Sequence, residues 1–141
     1  MADVVVDASV VVKWYIPESN HEQARALRDD YLDEAVDLRA PALLPSEVVN
    51  ALNYSGYYDG DSLQEVAETL PEYGIELVPF GSLGPVATVA DELDITVYDA
   101  AYVALALTGA DTAYTVDGDL LSAVEDSDRS GAMTHVRTYV D

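Results

Sequence analysis

Four carboxylates stand inside apolar segments of this 141-residue chain. Asp7 interrupts Val4-Val5-Val6 and Val10-Val11-Val12, and Glu47 is the only charged residue between Ala40 and Tyr58. Asp99 is the only one between Ile95 and Ala110, and Asp117 closes the run Thr112-Ala113-Tyr114-Thr115-Val116. Burying an unpaired carboxylate is costly. With six Lys and Arg against 27 acids, there are few basic side chains to neutralise these four. The chain is therefore expected to gather them around a cation. A donor set of oxygens alone, with no Cys or His beside it, favours a hard ion such as Mg²⁺ or Mn²⁺. Such ions bind phosphate oxygens and activate water for in-line displacement. The chemistry indicated is metal-assisted phosphoryl transfer or phosphodiester cleavage.

Polar neighbours recur beside the acids. Ser9 follows Asp7 by two positions and Thr115 precedes Asp117 by two, a spacing that shares one side of an extended backbone. Asn50 follows Glu47 by three, on the same helical face. Each can orient its carboxylate, as supporting groups do at metal sites; each also has an ordinary role as a helix cap, a strand Thr or a helix-face Asn.

The elements that must position these residues alternate. Strands are expected at residues 3–7, 36–40, 76–80, 112–116 and, at the sheet edge, 134–139. Helices are expected at 9–15, 17–35, 43–58, from a cap at Asp61 or Ser62 to 73, from 85 to 93, from Thr96 or Asp99 to a C′ glycine at Gly109, and at 120–124. The continuous valine run of the first strand is typical of a strand covered on both faces. Strands separated by helices imply a three-layer α/β/α sandwich with a central, mainly parallel, five-stranded sheet, in a single domain spanning residues 1–141. Asp7 and Asp117 then sit at carboxyl ends of strands, where open α/β sheets place their ligands. Glu47 and Asp99 sit in the first turns of helices that begin on that side.

Composition excludes several classes. Half the residues are hydrophobic, against disorder. No apolar run approaches the ~20 residues of a membrane span, and the N-terminus has no basic, signal-like opening. The absence of Cys removes disulfides and thiolate metal sites. A cytoplasmic protein is expected. The net charge of −21 is spread along the whole chain. Such self-repulsion is tolerated where salt shortens the Debye length to roughly 3 Å, at about 1 M. This reads as the surface of a protein from a salt-rich cytoplasm, such as that of a halophilic, haloarchaeal microbe.

The acidic segments together resemble a known family. Val4-Val5-Val6-Asp7-Ala8-Ser9-Val10-Val11-Val12-Lys13-Trp14 resembles the opening motif of PIN-domain ribonucleases, especially VapC-type toxins. Pro45-Ser46-Glu47-Val48-Val49-Asn50 is similar to their second motif, Tyr98-Asp99-Ala100-Ala101-Tyr102 to the third, and Thr115-Val116-Asp117 to the fourth, in the right order. The resemblance implies a PIN-like three-layer fold and Mg²⁺- or Mn²⁺-dependent RNA cleavage. It implies a catalytic, metal-holding cluster of Asp7, Glu47, Asp99 and Asp117, with Asp7 and Asp99 foremost as ligands and Ser9 and Thr115 in support. It also implies homodimerisation and a separate antitoxin partner. Val116 departs from the pattern, which commonly has a small residue there. Asp119 is a second acid able to replace or assist Asp117.

Other signals carry less. Tyr98, Tyr102 and Tyr114 read as packing residues, and His21 and His135 have no catalytic company. Lys13 and Trp14 either touch substrate or close the first helix. Gly81-Ser82-Leu83-Gly84 lacks the Lys of a phosphate loop. Three other readings remain open. One is a PIN-like RNA-processing or RNA-binding protein outside a toxin–antitoxin pair. The others are an aspartyl phosphotransferase, which would want an Asp where Ser9 stands, and a phosphorylated receiver module, which would want an acidic pair after the first strand.

Overall fold

In a computed structural model, which describes residues 2–79 and 81–139, five strands form one all-parallel sheet in the order β3-β2-β1-β4-β5. The strands are β1 (Ala2–Val6), β2 (Val36–Pro41), β3 (Glu76–Val78), β4 (Thr112–Thr115) and β5 (Thr134–His135). Seven α-helices connect them among the described residues: α1 (Ala8–Val12), α2 (His21–Leu32), α3 (Leu44–Tyr54), α4 (Gly60–Thr69), α5 (Leu83–Leu93), α6 (Val97–Ala106) and α7 (Gly118–Glu125). Right-handed crossovers put α1 to α4 on one face, because β1, β2 and β3 advance in one direction. The chain then returns past β2 to β4, so α5 to α7 cover the other face. Packing agrees, with α1 against α3 on one side and α5 against α6, which lies on β1 and β2, on the other.

This order reverses direction between β1 and β4. Val4, Val5 and Val6 pair with Thr112, Ala113 and Tyr114. A crevice therefore opens past the carboxyl ends of those two strands. The valines of β1 are buried on both faces, at 3, 0 and 0% exposure. Val10, Leu27, Leu38, Val48, Leu52, Val103 and Leu120 complete the core around them.

Several boundaries differ from the sequence-based expectation. Strand β1 ends at Val6, and Asp7 becomes the N-cap residue of α1 (φ −76°, ψ 150°). Helix α1 stops at Val12, and residues 13–15 continue in tighter turns, with Lys13, Trp14 and Tyr15 N–H groups donating to the carbonyls three residues back. Helix α2 begins at His21 because Asn20 adopts a left-handed backbone at φ 71°. Helix α3 stops at Tyr54, ahead of Gly56 at φ 83°. The cap of α4 is Asp59 rather than Asp61 or Ser62: its carboxylate accepts from the Ser62 N–H at 3.1 Å while the Ser62 hydroxyl accepts from the Asp59 N–H at 2.9 Å. Helix α4 gives way at Thr69 to a 3-10 turn, Leu70–Tyr73, around Pro71. Helix α5 starts at Leu83, and α7 runs from Gly118 to Glu125. Helix α6 ends at Ala106, before Gly109. Strand β4 ends at Thr115. Strand β5 is only two residues long, because residues 136–138 turn into a 3-10 segment. Strand β3 ends at Val78, and Phe80 lies outside the described residues.

Trp14 closes the first helix and belongs to the core. It is 3% exposed, its indole N–H donates to the Ala24 carbonyl at 2.8 Å, and its ring lies 5.0 Å from that of Tyr73. Trp14→Ala is expected to destabilise the fold by about 3–5 kcal/mol, and Trp14→Phe by roughly 1 kcal/mol through the lost hydrogen bond. Chemical denaturation in molar KCl, followed by circular dichroism, measures both.

Candidate active site

Asp7 is held by hydroxyl groups from the first turn of α1 and from the end of β4. The Ser9 hydroxyl donates to Asp7 Oδ2 at 2.5 Å and the Thr115 hydroxyl donates to the same oxygen at 2.9 Å. The two hydroxyl oxygens are 3.3 Å apart. Each also receives a backbone N–H: Val116 N–H donates to Ser9 at 3.1 Å, and Asp117 N–H donates to Thr115 at 3.0 Å. The Asp7 N–H donates to the Tyr114 carbonyl at 3.0 Å, extending the β1–β4 ladder past the strands. The network thus stitches the ends of β1 and β4 together and fixes the rotation of the Asp7 carboxylate. Neither hydroxyl addresses Oδ1. Asp7 is 6% exposed, one of two buried polar residues among those described; the other is Thr115.

The other acids arrive on helices. Glu47 lies in the first turn of α3, where the helix N-terminus favours negative charge. Its Oε1 accepts from the Tyr102 hydroxyl at 2.6 Å, a short charge-assisted bond. Asp99 lies in the first turn of α6, which Thr96 caps by accepting the Asp99 N–H at 3.0 Å. Asp117 is the N-cap of α7, its Oδ1 accepting from the Asp119 and Leu120 N–H groups at 3.0 and 3.1 Å.

Electrostatics tie the four together. Burial raises the pKa of Asp7; the Ser9 and Thr115 hydroxyls pull it partly back, and the charges of Asp99 and Asp117 push it up again. Glu47 is raised by burial, eased by Tyr102, and raised by Asp7 and Asp99. Asp99 is raised by burial and then by Asp117, with the Thr96 hydroxyl opposing. Four separate segments therefore share one field of mutual repulsion. Asp119 is exposed and meets the cluster only through its backbone N–H. Asn50 is exposed and makes no hydrogen bond to Glu47. Tyr102 is the functional neighbour missed in the sequence, where it reads as packing. It is fully buried, as a packing residue would be, but its hydroxyl spends its bond on Glu47. The available signal was its position three residues after Asp99, on one face of α6.

The chain matches the PIN domain family over residues 4–126. It belongs to that family. PIN domains are in general metal-dependent nucleases that act on nucleic acid. The fold is similar to the crystal structure of PAE2754 from Pyrobaculum aerophilum, with a TM-score of 0.69 and 22% identity, covering 97% of this chain and 85% of that one. No curated protein matches this chain at a significant level.

The four candidate groups are all carboxylates, a donor set that suits a hard divalent ion, and Asp7, Glu47 and Asp99 are raised first by burial and then by neighbouring negative charge. Among the described residues, no three Asp, Glu, His or Cys side chains stand close enough to enclose one ion. That openness is compatible with Mg²⁺, which keeps several waters and takes one or two carboxylates plus substrate phosphate.

The raised acids bind protons more tightly folded than unfolded. Their contribution to stability is therefore fully present below the ordinary carboxylate pKa and is lost as pH rises through the raised folded values. Asp7→Asn, which keeps an acceptor for both hydroxyls, is expected to raise the metal-free unfolding temperature at neutral pH. The size is several degrees, since roughly 1 kcal/mol moves a domain of this size by about 4 °C. The difference should shrink toward about pH 3. Thermal unfolding in EDTA across pH measures it.

Proposed function

We propose that this PIN domain is a Mg²⁺- or Mn²⁺-dependent endoribonuclease that hydrolyses RNA phosphodiesters, and that it is the toxin of a type II toxin–antitoxin pair. One observation carries the nuclease reading: four acids from four segments meet in a single repulsive field at the crevice between β1 and β4. Asp7 and Asp99 are the leading ligands, with Glu47 and Asp117 completing the cluster. A bound divalent cation supplies charge compensation for the phosphate and a water acidic enough to attack it.

The protein's own groups do the positioning. Ser9 and Thr115 hold Asp7 through Oδ2, so that Oδ1 is the oxygen left to face a cation. Tyr102 holds Glu47 and keeps its own proton, because burial and the Glu47 charge raise the phenol far above its usual range. Asp117 has one oxygen committed to capping α7 and offers the other. Asp119 is proposed as an accessory acid only, and Asn50 as a residue that can reach substrate beside Glu47.

The toxin reading rests on the order and spacing of the four motifs, which resemble VapC-type proteins. Exposed apolar side chains at the start of α5 and α6 and just past the end of α6, Leu83, Val97 and Leu107, support pairing with a second copy or with an antitoxin. The charge of −21 supports a salt-rich cytoplasm as the working medium.

RNA cleavage should occur in molar KCl with Mg²⁺ or Mn²⁺ and stop with EDTA. Asp7→Asn or Asp99→Asn should lower kcat roughly 100-fold or more, and Tyr102→Phe or Thr115→Val roughly 10-fold to 100-fold. Retained cleavage in Asp7→Asn would reject the site. Inhibition by the product of a small adjacent reading frame, tested by co-purification and assay, would support the toxin role. Cleavage without any such partner would favour RNA processing.

A further inference from the structure

A cavity of about 520 Å³ between α7 and β5 collects hydrogen-bond donors that the other described residues leave unused. Its walls include Leu121 and Glu125 of α7, together with Ser130, Thr134, His135 and Arg137. The other five basic side chains are engaged: Lys13 with Glu18, Arg25 with the Trp14 carbonyl, Arg28 with Asp29, Arg39 with Asp3 and Glu76, and Arg129 with Glu92. Arg137 is the one basic side chain with no acceptor among the described residues. His135 Nδ1 accepts the Arg137 backbone N–H at 3.0 Å, so the neutral ring must carry its proton on Nε2 and present a second donor. Burial, and then the Arg137 charge, lower the His135 pKa and favour that neutral form. The Ser130 and Thr134 hydroxyls likewise bond no other described residue.

The cavity adjoins the acidic cluster. Thr134 and His135 are the register partners of Tyr114 and Thr115, and Thr115 is the residue that holds Asp7. Neighbouring strands lie about 4.8 Å apart. Leu121 donates its backbone N–H to the Asp117 carbonyl at 3.0 Å, which places it one helical turn beyond that acid. A guanidinium, an imidazole N–H and two hydroxyls, with Glu125 the one acid among them, suit an anion rich in acceptor oxygens.

We propose that this cavity is a phosphate-anchoring subsite, which binds a backbone phosphate of the RNA strand beside the one cleaved at the acidic cluster. The proposal rests on the nuclease reading above. It explains how a chain of charge −21 can still hold a polyanion in register: the cluster takes one phosphate through its cation, and Arg137 with His135 takes a neighbour.

The test is fluorescence anisotropy of a fluorescein-labelled single-stranded oligoribonucleotide, titrated with full-length Asp7→Asn protein at fixed Mg²⁺ and a series of KCl concentrations. Adding Arg137→Ala should weaken binding about fivefold near 0.1 M KCl and flatten the slope of log affinity against log salt by about 0.7, the single-strand value for one phosphate contact. The gap should close near 1 M, and Arg137→Lys should restore the slope. In the otherwise unaltered chain, Arg137→Ala should raise KM more than it lowers kcat. Equal affinity and slope with and without Arg137 would overturn the subsite, and would leave the nuclease standing if RNA is still cleaved. Arg137-dependent binding without cleavage in Mg²⁺ or Mn²⁺ would keep the subsite and reject the nuclease. No binding at all would reject the subsite.

Discussion

Repulsion between carboxylates at the crevice past β1 and β4 is the constraint around which the rest of this structure is arranged. Chain topology forces the crevice: β1 leads toward β2 on one side, β4 leads toward β5 on the other, and no helix can cover the gap between their diverging exits. Asp7 and Asp117 leave the strands there, and α3 and α6 point their first turns at the same place with Glu47 and Asp99. A cluster of this kind would relax by side-chain rotation if its members were free. Three of the four are restrained instead: Asp7 by two hydroxyls, Glu47 by a buried phenol, and Asp117 by the backbone it caps. On the proposed reading, stability is given up locally so that a cation would meet groups already in place.

The same balance between charge and restraint operates over the whole surface. Five of six basic side chains are committed to acceptors among the described residues, and four of these side chains do so through ion pairs at partly exposed positions, where each contributes little. They cannot offset a charge of −21, a self-repulsion that added salt would screen. Salt also weakens the attraction between basic groups and RNA. On the proposed reading, cation-mediated contact at the cluster would be a more robust hold on phosphate than a basic groove, and one anchored neighbour phosphate would set register.

Much of this was legible in the residues themselves. The valine run around Asp7 announced a buried strand, and isolated acids in apolar helices marked Glu47 and Asp99, because an unpaired charge in such a context demands a reason. Less legible was whatever depends on side-chain rotation or on a single backbone angle. The role of Tyr102 was hidden because burial and hydrogen bonding are independent properties of one side chain, and only its body reads as apolar. Asp59 displaced Asp61 and Ser62 as a cap because a reciprocal pair of hydrogen bonds outweighs proximity to the helix. Asn20 shortened α2 through a left-handed backbone that the surrounding polar sequence does not specify. Asp117 and Asp119 are equivalent in composition; they separate only because α7 starts at Gly118, which turns Asp117 into the cap and leaves Asp119 exposed.

The central claim, that these four acids form one site which exchanges protons for a cation, is tested most directly by calorimetry. Mn²⁺ is titrated into the protein at about pH 5, near the upper edge of ordinary carboxylate titration, in buffers of different ionisation enthalpy. Because Asp7, Glu47 and Asp99 hold their protons more tightly than ordinary carboxylates, Mn²⁺ binding should release protons, and the release should fall in Asp7→Asn and Asp99→Asn but persist in Asp119→Asn. Binding with no proton release, or with release that none of these substitutions changes, would contradict the account.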